Sequence, residues 1–198
     1  MRKLFLFCVI LALSFKTAHA HNPLSAMYYL EVKEGIGILN ISLSQAGLQE
    51  ALNKHYSARK IETLTSIEYK KLAVRYLKEN FYLNINGNKI ELLEGGLKLG
   101  NHQTDIKFIT NALPKKLNTL DVKIEAFKEN DHHQTVFSIL LNGKTSKVIL
   151  SKNNDYETSV KFKENKIVSE ANSFNKNYLW FLVLIPVFII SKKYVIEF

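Results

Sequence analysis

Six histidines occur in this chain of 198 residues, and one of them, His21, is placed where it can gain a second nitrogen donor. It follows Ala18-His19-Ala20 directly, the small-x-small pattern at which signal peptidase cuts. Cleavage after Ala20 makes His21 the first residue, with an α-amine and an imidazole on one amino acid. Such a pair chelates copper, and one further imidazole completes the T-shaped arrangement called a histidine brace. Imidazole and amine nitrogens suit Cu(II), and the site needs no thiol. His132, His133 and His102 are the candidates for the third ligand. His132 and His133 are adjacent at the start of an expected strand and should point to opposite faces, so at most one of them joins. A structural explanation competes: the peptidase leaves whatever residue comes next, and Asp131-His132-His133 also reads as a polar turn. His55, next to Lys54 at the end of a helix, reads as surface.

Other chemistries find less. The single cysteine, Cys8, lies inside the leader, so the mature chain has no disulfide, no thiolate nucleophile and no Cys-ligated metal. The sequence contains no G-x-S-x-G, no H-E-x-x-H and no glycine-rich phosphate loop. The formal charge of +9 includes Arg2, Lys3 and Lys16 of the leader, which leaves 24 basic against 18 acidic residues. These are scattered along the chain with no dense basic tract and no interleaved aromatics, so no nucleic-acid partner is expected. A solvated surface accounts for them.

The elements that must position these residues can be read from pattern. Residues 26–34 and 36–42 alternate as two strands about Glu34-Gly35. Ser44 then caps a helix from Gln45 to about Asn53 with Leu48, Ala51 and Leu52 on one face. Thr65-Ser66-Ile67-Glu68 is a capping box that starts a second helix, running to about Glu79. Along it Tyr69, Leu72, Ala73, Tyr76 and Leu77 form one apolar stripe. Asn86-Gly87 and Asn142-Gly143 mark two tight hairpins. Further strands are expected over 105–110, 120–127 and 156–162, and residues 135–141 and 144–151 flank the second hairpin. The expected fold is therefore mainly β (α+β), a β-sandwich-like ectodomain with two inserted helices.

The two ends of the chain carry topogenic signals. Arg2 and Lys3 precede the apolar run 4–15, so residues 1–20 read as a signal peptide. The ectodomain is expected over 21–163 and a polar linker over 164–177. Residues 178–191 read as one C-terminal transmembrane helix, with interfacial Tyr178 and Trp180, followed by a cytoplasmic tail over 192–198. The uncharged run 178–190 spans only about 20 Å as a helix against about 30 Å of hydrocarbon. The anchor reading therefore leans on Lys176 and Lys192, which can snorkel outward, and on the apolar residues beyond Lys193. Lys192-Lys193 on the cytoplasmic side places the domain outside the cytoplasm, in agreement with the leader.

Three segments resemble an uncharacterised family of exported bacterial domains of unknown function: His21-Asn22-Pro23-Leu24-Ser25, the strand-to-helix piece 41–52, and Tyr82-Leu83-Asn84-Ile85-Asn86-Gly87. More distantly the chain is similar to the ectodomains of the membrane accessory proteins of hydrogenase and urease, which are linked to nickel supply. The resemblance implies an envelope location and adds nickel to copper as a candidate ion. It departs at Gln45-Ala46, where the family often has an acidic pair, and at the membrane region, where the accessory proteins have several helices. No transport role is carried over. The expected function is a membrane-anchored, non-enzymatic envelope ectodomain that binds another envelope protein, held to the membrane through its C-terminal anchor. The alternative is a copper- or nickel-binding ectodomain using His21 with His132 or His133.

Overall fold

The computed structural model describes residues 26–56 and 61–168. The leader, His21, the anchor at 178–191 and the tail at 192–198 lie outside the described residues. Within them the chain is mainly β, with two helices and two sheets. The strands β1 (Ala26–Lys33) and β2 (Ile36–Ser44) come first, followed by α1 (Gln45–Tyr56) and α2 (Ser66–Glu79). Then come β3 (Phe81–Ile85), β4 (Asn88–Ile90), β5 (Leu92–Leu99), β6 (Gln103–Ala112) and β7 (Thr119–Ile124). The last strands are β8 (Gln134–Leu141), β9 (Lys144–Ser151), β10 (Glu157–Lys163) and β11 (Lys166–Val168). One sheet has the order β5-β6-β2-β1-β8-β9 and the other β11-β10-β7-β3-β4.

Local chemistry explains most of these boundaries. The Ser44 hydroxyl accepts from the amide of Gly47 at 3.2 Å and starts α1. At α2 the Thr65 side chain accepts from the amide of Glu68, and Glu68 reaches back to the amide of Thr65 at 2.8 Å, so the capping box is complete. The Thr65 hydroxyl, which donates to the Glu68 carboxylate at 2.7 Å, and the Thr65 amide hold that carboxyl below the usual carboxylate range. The two-residue turns Glu34-Gly35, Asn86-Gly87 and Asn142-Gly143 have positive φ at both positions, the backbone whose twist matches that of the flanking strands.

Each sheet buries one face, and both faces contribute to a single hydrophobic core. Tyr28, Leu30, Leu39, Ile41, Phe108 and Phe137 enter it from the first sheet, and Leu83, Ile85, Leu120 and Val122 from the second. The apolar stripes expected of the helices are the buried ones: Leu48, Ala51 and Leu52 on α1, and Tyr69, Leu72, Ala73, Tyr76 and Leu77 on α2. Tyr28 stacks on Phe81 with ring centroids 6.0 Å apart, which ties β1 to β3 across the core. The sheets also meet at their edges. The amide of Ile167 in β11 donates to Ser146 Oγ in β9 at 3.0 Å, and Glu91 exchanges bonds with Asn111 on the opposite side.

Several expected boundaries are corrected. The first helix continues to Tyr56 rather than stopping near Asn53, and β7 ends at Ile124 rather than at Phe127, which has a left-handed φ of 72°. Residues 92–99 form a strand, β5, for which the pattern gave no sign. The stretch read as a linker from Glu164 opens instead with a hairpin. Glu164 and Asn165, at φ 52° and 62°, make a turn of the same kind as the glycine-containing ones and deliver β11 onto β10.

Candidate functional site

The pairing of β1 with β8 decides which histidines can meet. It is parallel, with Ala26 opposite Thr135 and Tyr28 opposite Phe137. Both strands therefore start at the same end of the sheet. The antiparallel neighbours bring other chain ends to it: Leu43 of β2 lies opposite Ala26, Gln103 of β6 opposite Ser44, and Ser151 of β9 opposite Gln134. His132 and His133, just before β8, and His102, just before β6, share the end at which β1 begins. With strands about 4.8 Å apart, β8 flanks β1 directly, whereas β6 is two strands away at about 10 Å. His132 and His133 thus precede the strand next to β1, and His102 precedes one that is a strand further off.

The two adjacent histidines have separate environments. They lie in the turn before β8 rather than within it, and the left-handed φ of 56° at His132 separates them. His132 is exposed. His133 is 2 % exposed, its ring 5.1 Å from that of Phe127, and its Nε2 lies 2.9 Å from Oγ1 of the buried Thr135. His132 and His133 line a cleft of about 510 Å³ together with Asp131, Gln134, Ser151 and Tyr156. Among the described residues no three His, Cys, Asp or Glu side chains converge as a metal site, and His21 is outside them. His102 is exposed in the bend before β6 and joins neither cleft nor cluster; its carbonyl accepts from the amide of Gln45 at 3.0 Å.

A second constellation escaped the sequence reading. Glu129, only 17 % exposed at its side chain, accepts from the Tyr76 hydroxyl at Oε2 (2.8 Å) and pairs with His55 Nδ1 at Oε1 (2.8 Å). The Tyr76 hydroxyl in turn accepts from the buried amide of Phe127 at 2.6 Å, and Lys54 donates to the Glu129 carbonyl at 2.9 Å. Burial, aided by the nearby Glu129 carboxylate, pushes the Tyr76 phenol above its ordinary range. A carboxylate that orients an imidazole through Nδ1 is half of a nucleophile-activating relay. In this structure these bonds tie α1, α2 and the turn that leads to Asp131 together. Tyr76 and His55 lie 53 and 74 residues from Glu129 in sequence, and no local pattern announces them.

No protein-family model matches the chain, and no curated protein is similar to it.

Proposed function

We propose that this chain is a non-enzymatic envelope ectodomain, sandwich-like in build, exported by residues 1–20, tethered by residues 178–191 and serving as a binding module for another envelope component. The observation that carries the reading is an open groove between α2 and β5 with an apolar floor and four cationic side chains along it. A concave apolar surface with a few charged groups at its rim is how binding sites are commonly built. Crosslinking in intact cells, followed by isolation of the full chain from membranes, is expected to capture one specific protein. A chain that captures none, or that instead turns over a substrate, overturns the reading.

The second reading, a copper or nickel ion held by the amine and imidazole of His21 with His132 or His133, is favoured by the parallel register of β1 and β8. His21 lies five positions before Ala26, and five Cα-to-Cα steps of extended chain span at most about 18 Å, which suffices to reach the start of the neighbouring strand. Purified mature chain should take up about one Cu(II) with nitrogen hyperfine structure in its EPR spectrum. His21→Ala should abolish that signal, and His132→Ala and His133→Ala should identify the third ligand by which of them changes it. Equal uptake by His21→Ala ends this reading and leaves the binding module untouched.

A further inference from the structure

The groove beside α2 has a volume of about 480 Å³. Lys70, Lys71, Arg75 and Lys78 rise along it from the helix, and Val74 and Leu97 are the apolar residues of its lining. Some lysines elsewhere on the surface find carboxylates, Lys54 with Glu50 at 2.7 Å, Lys128 with Glu125 at 3.1 Å and Lys123 with Glu157 at 3.3 Å, while others such as Lys98 and Lys107 have no ion pair among the described residues. None of the four cations of the groove has an ion-pair partner among the described residues. Two of them are held by other means. Lys78 donates to the carbonyl of Leu93 at 2.6 Å and lies 5.4 Å from the centre of the Phe108 ring, and Arg75 lies 5.7 Å over Tyr56. Glu79 is the one carboxylate in the lining, and its Oε2 accepts from the Tyr56 hydroxyl at 3.4 Å.

The other wall is a strand edge. Among the described residues β5 is the terminal strand of its sheet, and no neighbouring strand takes up the other side of its backbone. Gly95 and Gly96 sit in its middle, and around Gly96 none of the described residues lies within 4 Å of where a Cβ would be. Glycine in a strand marks a place where a second backbone can come close.

We propose that this groove binds an extended acidic peptide segment of an envelope protein, added as a strand along the edge of β5 with its carboxylates on Lys70, Lys71, Arg75 and Lys78. The proposal rests on the binding-module reading and names the chemistry of its partner. The spacings agree. Four residues of helix advance about 6 Å, and alternate residues of a strand about 6.8 Å, so acidic side chains at every second position meet Lys71 and Arg75 in step. From Lys70 to Lys78 the helix rises about 12 Å, the length of about four strand residues. Main-chain bonds to the edge give affinity in this mode, and the alternate side chains give selectivity.

The test uses the full chain in detergent and two short labelled peptides, one alternating glutamate with valine and the other lysine with valine. Fluorescence polarisation is expected to show the glutamate peptide bound at least about tenfold tighter, with the preference weakening as salt is raised. The exposed double variant Lys71→Glu/Arg75→Glu should reverse the preference while melting as the parent does. Hydrogen exchange should slow at amides of Leu92–Leu99 when the glutamate peptide is bound. Equal binding of the two peptides, or indifference to the double variant, overturns the proposal. So does binding without protection of β5, or binding of phosphatidylglycerol vesicles in place of the peptide. In cells, loss of the crosslinked partner from the double variant supports the groove. Retention of that partner overturns the groove alone, whereas failure of the parent chain to capture any partner overturns the module reading itself.

Discussion

Tyr76→Phe is expected to lower folding stability by about 2–3 kcal/mol although it deletes a single oxygen atom. The ring is fully buried, and the substitution leaves its packing against Phe127 intact, with centroids 5.8 Å apart. What it removes is the junction of a chain of bonds: the buried amide of Phe127 loses its acceptor, and the Glu129 carboxylate loses its tyrosine donor. A buried donor left unmade costs about 1–3 kcal/mol, which is more than the net worth of the bond when it is formed. For a chain of this size each kcal/mol shifts Tm by about 2–4 °C, so the drop should be about 4–12 °C. Urea unfolding should show a lower midpoint at unchanged slope. Glu129→Gln supplies the contrast, because an amide oxygen still accepts from Tyr76, and it should cost clearly less. A loss below about 0.5 kcal/mol for Tyr76→Phe, the size of an ordinary surface change, would mean that the Phe127 amide finds another acceptor and that Glu129 does not brace the helices.

The brace shows which parts of this molecule are legible before folding and which are not. The capping box at Thr65-Glu68, the two Asn-Gly hairpins and the apolar stripes of both helices are local patterns, and local patterns survive in the sequence. Glu164-Asn165 adopts the same turn without a glycine, and with polar residues around it the segment looks like a tail. β5 was hidden for a related reason, since Gly95-Gly96 lowers strand propensity, and only at Gly95 does the packing need a small residue. Long-range partnerships are of another kind. Nothing in the composition of β1 says that its second neighbour is β8 or that the two run parallel. That one pairing gathers His102, His132 and His133 at the end where β1 begins. Likewise His55, read as a plain surface residue, does face solvent on one side, but its Nδ1 is committed to a carboxylate 74 residues away. The histidines that sequence reasoning singled out were singled out by type. The fold ranks them by position, with His132 and His133 beside β1 and His102 two strands off.

Gly95→Val tests the strand that the sequence concealed, and it should cost about 2–3 kcal/mol. The reason is close approach rather than an unusual dihedral. A Cβ at Gly95 would lie 2.3 Å from the carbonyl oxygen of Lys107 and 2.4 Å from a ring carbon of Phe108, and the first of these is backbone that cannot rotate away. Gly95 faces Phe108 across the β5–β6 ladder, next to a register shift between Leu92 and Gly95. A side chain there must push β5 off β6 or displace the buried Phe108 ring. Gly96 is the internal control. It is adjacent in the same strand but has open space around its missing Cβ, so Gly96→Val should be near neutral, or mildly favourable because β-branched residues suit strands. The pair separates the packing explanation from a general intolerance of bulk in this strand. If both substitutions cost the same, measured as shifts in urea midpoint, β5 is not held against β6 in the register described, and the edge proposed to receive a peptide loses its geometry.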